Sequence, residues 1–185
     1  MKKSVHMVLV LSIVGMISGA SLVGVYRYAQ PRIEENKKAE IRRAVFEVLP
    51  EAKDYNTIIK EDRLIYQGLD SSGNLVGYAF IGEAAGYQGI IEIMIGMDPE
   101  LNQTRGIQIL ESVETPGLGA KITSESFGEQ FKALLVVPLI KLIKGKKAEE
   151  DNQVQAITGA TISSQTVIDI LNNTIKEVRE KLSKE

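Results

Sequence analysis

The chain has 185 residues, of which 44% are apolar and 25% are charged, and its formal net charge at pH 7 is −2. These values are typical of one globular domain with an appendage, and they exclude a disordered or collagen-like chain. Because there is no cysteine and the single histidine, His6, lies in an apolar run, iron–sulfur clusters, thiolate nucleophiles and histidine-based zinc or triad sites are excluded, and redox chemistry would need an organic cofactor.

An apolar segment near the N-terminus predicts a membrane helix. Residues 5–25 carry no formal charge, with two lysines before them and two tyrosines after them. A helix of this length reaches about 30 Å, the hydrocarbon thickness of a bilayer, and tyrosine is enriched at the membrane–water interface. We therefore expect a transmembrane helix over 5–26 that follows a short N-terminal segment over 1–4, whereas the charges on its two sides do not decide which end is cytoplasmic. A cleaved signal peptide is the alternative, since small residues occur at 19–21.

The next segment is dense in charge and keeps helical spacing. It predicts a stalk helix over 27–53, which leaves the membrane and caps the domain. Pro50 favours a helix boundary close to Leu49, because the residue before a proline avoids the helical conformation. The apolar positions that define the spacing are Ile33, Ile41, Val45, Val48 and Leu49.

Short β-branched runs separated by turn residues follow. The four runs cover residues 63–69, 75–81, 89–97 and 106–110. Their close spacing predicts antiparallel hairpins in a meander-like sheet, within a domain over 54–185. Gly86 and Gly89 flank Tyr87 and would allow close approach of a ligand or another chain, although a loop that needs glycine explains them equally well.

The C-terminal third predicts two helices with short strands between them. Helical spacing through Phe127 and Phe131 predicts a helix over 123–137. The runs 138–143 and 154–157 predict strands. A last helix is expected over 163–184, because apolar residues recur there at intervals of three and four. The sequence as a whole predicts an α+β fold, with a mostly antiparallel sheet flanked by helices.

Two segments, 114–119 and 158–164, concentrate glycine and hydroxyl side chains beside a predicted helix start. Thr161 follows a short strand and precedes the last helix, with Ser163 or Ser164 as the expected N-cap. A helix N-terminus offers free backbone N–H groups and the positive end of a dipole, which together bind phosphate. The residues alone predict an anion site, and a small-residue turn with an N-cap is the alternative.

Three motifs resemble the FMN-binding domain family. The segment 158–164, T-G-A-T-I-S-S, is similar to its S/T-G-A-T signature, in which FMN is joined through its phosphate to the last threonine. The segment 114–122 resembles the family's glycine-rich loop near the flavin, and 86–89 resembles the segment upstream of it. The resemblance implies one FMN per chain, bound covalently to Thr161, with Thr158, Gly159, Ala160 and Ser164 around the phosphate and Glu114, Thr115, Gly117, Leu118 and Gly119 on the isoalloxazine side.

Two positions depart from the family's pattern. Gln155 stands where the signature usually has an aspartate, and Ser112 stands where many relatives have a histidine. Any contact made by that histidine is therefore not carried over. Tyr87 could stack on a flavin ring, although a half-buried sheet tyrosine is the more common case.

The chain as a whole resembles the RnfG family, named for one component of the Rnf ion-translocating electron transport complexes. The resemblance implies an electron-transfer subunit of a redox-driven ion translocase, not an enzyme on its own, that relays electrons between reduced ferredoxin and NAD. It implies other complex subunits, a flavin transferase and the lipid bilayer as partners. It also implies a C-terminal domain on the extracytoplasmic side of a bacterial or archaeal cytoplasmic membrane.

Other functions remain open on the sequence. The signature also occurs in a related component of the sodium-pumping NADH:quinone reductase, so that enzyme or another extracytoplasmic flavin system is one alternative. A membrane-tethered binding or scaffold domain without covalent flavin is another. Nucleic acid binding is disfavoured, because the chain after residue 29 has 19 basic and 24 acidic residues.

Overall fold

The computed structural model describes residues 2–183. The chain forms two units, an N-terminal helical unit up to Ile41 and a larger α+β unit from Arg42 onward. Helix α1 spans Lys2–Val48 and continues through Pro31. Within the described residues it is the one helix long and apolar enough to cross a membrane, with a mean hydropathy of 2.3 in its most apolar 18-residue window. The predicted membrane segment lies in this helix, and its side chains are exposed.

Helix α1 ends at Val48, which agrees with the helix boundary that Pro50 predicts close to Leu49. Residues 49–53 of the predicted stalk segment are not helical. Pro50 disfavours helical geometry in the residue before it, which explains where the helix stops. The following residues lead into the sheet instead, and the backbone N–H of Lys53 donates to the carbonyl of Leu69 at 2.7 Å.

The larger unit is built on a five-stranded antiparallel sheet in the order β1-β2-β3-β4-β5, which confirms the predicted meander. Each strand pairs with the next along the chain, so short turns account for every connection. The four predicted runs appear as β2 to β5. The strands are β1 (Asp54–Lys60), β2 (Arg63–Leu69), β3 (Leu75–Ala85), β4 (Ile90–Met97) and β5 (Thr104–Ser112).

Strand β1 escaped prediction because it lies at the edge of the sheet and is mostly exposed. Its sequence is therefore largely polar and lacks the alternation that identified the other strands. The turn from β1 to β2 also lacks the usual sequence signal, since Glu61 and Asp62 adopt positive φ angles of 44° and 65° where glycine is usual.

The predicted helix over 123–137 is wrong. Only α2 (Glu125–Gly128) is α-helical, between two short 3₁₀ turns, and residues 132–137 are extended or in turns. Thr104 competes for the backbone there, because its hydroxyl donates to the carbonyl of Phe131 at 2.5 Å and its own carbonyl accepts from the N–H of Ala133. Ala133 consequently has a φ of 57°, which no α-helix tolerates.

The last part of the fold places a helix over the sheet. Strands β6 (Lys141–Ile143) and β7 (Gln153–Gln155) pair in parallel, and both are shorter than predicted. Helix α3 spans Thr161–Leu182 and begins two residues before the predicted start, with Ala160 rather than a serine at the N-cap. One face of α3 is buried and packs into the core against the sheet and the 122–136 segment. The residues of this face are Val167, Leu171, Ile175 and Val178.

An ion pair ties α3 to β2. The guanidinium of Arg63 donates to both carboxylate oxygens of Glu177, and Lys181 pairs with the same carboxylate at 3.0 Å. These contacts hold the pKa of Glu177 below its ordinary value, and the hydrogen bond from Arg63 is the largest cause. The pair therefore stabilises the fold at neutral pH, and that contribution is lost as the pH falls through the lowered pKa.

Two paired glycines of β4 and β5 provide a matched test of the packing beneath the last turn of α1. A Cβ atom at Gly96 would lie 2.4 Å from the carbonyl oxygen of Val48, whereas one at Gly106 would lie 3.8 Å from the nearest atom. We expect Gly96→Ala to lower the free energy of unfolding by about 1–3 kcal/mol, because the backbone must shift. Gly106→Ala should be nearly neutral. Denaturant unfolding of the two full-length variants in detergent checks this, and equal midpoints would contradict it.

Candidate flavin-binding site

The structure brings the three sequence motifs together at one end of the sheet. The loop 86–89 joins β3 to β4, the segment 113–119 follows β5, and the third motif forms the start of α3. Glu114, 6% exposed, connects them. One carboxylate oxygen accepts the backbone N–H groups of Tyr87 at 2.6 Å and Gln88 at 3.3 Å, and the other accepts the Ser163 hydroxyl at 2.9 Å.

Two glycines make room for this carboxylate. A Cβ atom at Gly86 would lie 2.3 Å from one oxygen of Glu114, and a Cβ atom at Gly119 would lie 2.4 Å from the other. Real Cβ atoms essentially never approach that closely, so a side chain at either position would force the carboxylate to move. The glycine in each motif thus serves close approach to a side chain rather than turn formation alone.

The loop 114–119 also touches the loop before α3. It is closed by the carbonyl of Thr115, which accepts the N–H groups of Leu118 and Ala120, both at 3.1 Å. Gly117 and Gly159 take positive φ angles of 77° and 83°, a region in which other residues are strained. A Cβ atom at Gly159 would lie 3.3 Å from the Leu118 side chain, so the two loops lie side by side.

Thr161 is the first residue of α3 and is half-buried. Among residues 2–183 its hydroxyl has no hydrogen-bond partner, and the first turn of α3 contains no acidic residue. The first N–H groups of a helix have no partners within the helix, and they carry the positive end of its dipole. Thr158 and Gly159 are exposed beside it, while Ala160 is buried. A phosphate attached to the hydroxyl would therefore meet favourable electrostatics and small neighbours.

The two serines that follow Thr161 are engaged inside the protein. Ser163 is bound to Glu114. The sequence places Ser164 at the phosphate, but its hydroxyl accepts the N–H of Ile157 at 3.1 Å and donates to the carbonyl of Ala160 at 2.9 Å. Ser164 is fully buried and supports the loop from within, so Thr161 has the free hydroxyl of the helix start.

An exposed apolar rim surrounds these loops. Tyr87 is 66% exposed, which corrects the expectation of a half-buried sheet tyrosine, since it lies in a loop. The other members are Val113, Leu118 and Ile162, which are 59%, 48% and 57% exposed. Such side chains offer contact area for a planar aromatic ring. Sequence reasoning missed Val113, Ile162 and Ser163, although Ile162 carries a signal as an apolar residue off the buried face of α3.

The two departures from the signature have structural partners of their own. The backbone of Gln155 is held by the Gln130 side chain, whose amide oxygen accepts the Gln155 N–H at 2.7 Å. The Ser112 hydroxyl accepts the N–H of Glu114 at 3.4 Å, close to the end of β5. The residues described contain no cluster of three or more metal-ligating side chains.

Comparison with known proteins agrees with this geometry. Residues 86–176 match the FMN-binding domain family. The chain is 32% identical to the G subunit of the ion-translocating oxidoreductase complex of Methanosarcina acetivorans, over 96% of this chain and 95% of the relative. It is 31% identical to the G subunit of the Na⁺-translocating ferredoxin:NAD⁺ oxidoreductase complex of Acetobacterium woodii, over 95% and 91%.

A solved structure shares the fold. The C subunit of the Na⁺-translocating NADH-quinone reductase of Parabacteroides distasonis superimposes with a TM-score of 0.68, covering 86% of this chain and 98% of that one, at 20% identity. The antiparallel sheet with its flanking helices is therefore an architecture that this chain shares with that subunit.

Proposed function

We propose that this chain, which belongs to the RnfG family of ion-translocating oxidoreductase complexes, is a membrane-anchored electron-transfer subunit of a ferredoxin:NAD oxidoreductase of the Rnf type. It carries one FMN, bound covalently through its phosphate to Thr161. The observation that carries the proposal is the unpartnered hydroxyl of Thr161 at the first turn of α3, within the T-G-A-T motif.

The chain's own residues divide the work of holding the flavin. The first turn of α3 and the small residues Gly159 and Ala160 receive the phosphate. The apolar rim, from Tyr87 to Ile162, receives the ring. Bound FMN exchanges electrons singly or in pairs, which suits a relay between other carriers.

Covalent attachment has a physical reason. A domain on the extracytoplasmic side would lose a dissociable FMN by dilution, whereas a phosphoester retains it. The donor that balances the step is a phosphoanhydride of FMN. Its P–O bond to the leaving phosphate group breaks as the P–O bond to the Thr161 oxygen forms, the hydroxyl proton is released, and the net addition to the chain is FMN minus one water. A separate flavin transferase makes this bond, so the chain needs no general base of its own beside Thr161.

The chain relays electrons, and other subunits of the complex move the ion. Residues 5–25 contain no carboxylate, and ion pathways through a membrane depend on such groups. The C-terminal unit lies on the extracytoplasmic side of a bacterial or archaeal cytoplasmic membrane. The chain is thus one part of a translocase complex and carries out no substrate chemistry of its own.

The family match favours this function over a role in the quinone reductase. The RnfG-type relatives are 31–32% identical and cover at least nine tenths of both chains. The quinone reductase protein shares 20% identity and supports only the fold. A scaffold domain without flavin is also less favoured, because the three motifs converge on one site.

Membranes from a strain that lacks this chain test the function. We expect ferredoxin-dependent NAD reduction to be lost and to return with the wild-type gene. A gene that encodes the Thr161→Val variant should not restore the activity, because the variant would reach the membrane without flavin. Thr57→Val serves as the control, since it removes an exposed threonine hydroxyl on β1, outside the three motifs, and should restore the activity. Full restoration by Thr161→Val, at equal protein levels, would contradict the proposal.

A further inference from the structure

Glu114 is a buried carboxylate without a basic partner. It is 6% exposed, and among residues 2–183 no lysine or arginine forms an ion pair with it. Taking a carboxylate out of water is unfavourable unless donors compensate. The donors here are two backbone N–H groups and one hydroxyl, all aimed at the carboxylate oxygens. Its burial is therefore compensated by the very segments that build the site.

The donors come from two elements other than its own. Tyr87 and Gln88 belong to the β3–β4 loop, and Ser163 is the third residue of α3. Three donors already use three of the about four acceptor positions of this buried carboxylate, which leaves little of it for a flavin. What the carboxylate does instead is connect the loop that carries Tyr87 to the helical turn that begins with Thr161.

The surrounding backbone is shaped for this carboxylate. Gly86 and Gly119 lie on opposite oxygens, each so close that a Cβ atom would overlap. Two unrelated segments therefore give up a side chain at the one place where Glu114 inserts. A loop that needed glycine only for its turn would show positive φ, and neither residue does.

We infer that Glu114 is a positioning residue, which fixes the Tyr87 loop and the first turn of α3 relative to each other so that the Thr161 hydroxyl and the apolar rim face one flavin. The inference rests on the proposed flavin function, and it deepens the assignment of Glu114 from the flavin's ring to the frame that holds the site.

Hydrogen exchange on the full-length protein without flavin, in nanodiscs, tests the frame directly. We expect Glu114→Ala to speed amide exchange in residues 86–89 and 161–165 by about tenfold, the factor for losing one buried charged hydrogen bond. Glu114→Gln should exchange like wild type. Its amide oxygen can still accept the two N–H groups, and its amide nitrogen can donate to the Ser163 oxygen.

Thr104→Val is the matched control for general destabilisation. It removes another buried hydrogen bond, from the Thr104 hydroxyl to the Phe131 carbonyl, in a different part of the fold. It should leave exchange in residues 86–89 unchanged. Equal exchange in Glu114→Ala and wild type, or equal acceleration in Glu114→Ala and Thr104→Val, overturns the inference. If Glu114→Ala does not fold, Ser163→Ala replaces it and should accelerate exchange in residues 161–165 alone.

Flavin attachment provides the second measurement and separates the two proposals. With a flavin transferase and wild-type chain as reference, Glu114→Ala should be flavinylated about tenfold more slowly, and Glu114→Gln at the wild-type rate. If wild type itself stays unmodified, the flavin function fails, and the exchange experiment still decides the frame. If wild type is modified and Glu114→Ala matches its rate, the positioning role fails while the flavin function stands.

Discussion

We expect the replacement of Thr161 by valine to abolish covalent flavin attachment. Valine keeps the shape of threonine but lacks the oxygen that would form the phosphoester. The two serine hydroxyls of the same helical turn cannot substitute, because Ser163 is bound to Glu114 and Ser164 is bound to Ile157 and Ala160. Intact mass of the full-length protein, produced with a flavin transferase, should show FMN minus one water on wild type and nothing on Thr161→Val. Peptide mapping of residues 154–176 should locate the group.

Two variants complete that measurement. Thr161→Ser retains a hydroxyl at the first position of α3, and we expect it to keep the flavin at reduced yield. Thr57→Val should be modified like wild type, because its exposed hydroxyl lies on β1, outside the three motifs. Flavin that survives denaturation of Thr161→Val would refute the site. An unmodified wild type, in cells that flavinylate a control protein, would direct attention to Gln155.

The regular elements of the sheet and of α3 could be predicted because each has a local signal. Alternating β-branched residues and turn chemistry identify β2 to β5, and spacing of three and four identifies α3. The prediction of a helix over 123–137 failed because a hydrogen bond to a residue distant in sequence outweighed the helical spacing of the apolar residues. Thr104 lies 27 residues before Phe131, and its hydrogen bond to that carbonyl is invisible in any local window.

The candidate site shows the same division. Thr161 and the two glycine-rich loops could be identified as short motifs. The role of Glu114 could not, since its partners lie 27 residues before it and 49 after it. The order of the strands brings such residues together, because it places the β3–β4 loop and the end of β5 at the same end of the sheet. The internal hydrogen bonds of Ser164 could not be predicted for a related reason, as a hydroxyl near a motif serves a ligand or the backbone equally well.

Cutting the chain within its N-terminal unit, after the apolar span, should release the C-terminal unit from the membrane completely. A protease site inserted between Asn36 and Lys37 lies among exposed residues, after the apolar span. The released fragment is acidic, so anionic headgroups repel it, and the charge-free residues 5–25 stay in the bilayer. With purified protein in liposomes, we expect the fragment in the supernatant after cleavage, still carrying FMN. A fragment that remains with the vesicles would show a second membrane contact.

The same insertion tests which side of the membrane holds the site. Protease added to intact spheroplasts reaches only extracytoplasmic segments. We expect the protease to cleave the chain that carries the inserted site. The chain without the insertion, treated in the same way, should stay whole. Cleavage that appears only after lysis would place the C-terminal unit in the cytoplasm. In that case dilution would no longer explain the covalent bond, because a cytoplasmic domain can rebind free FMN, and retention during electron transfer would have to be its reason.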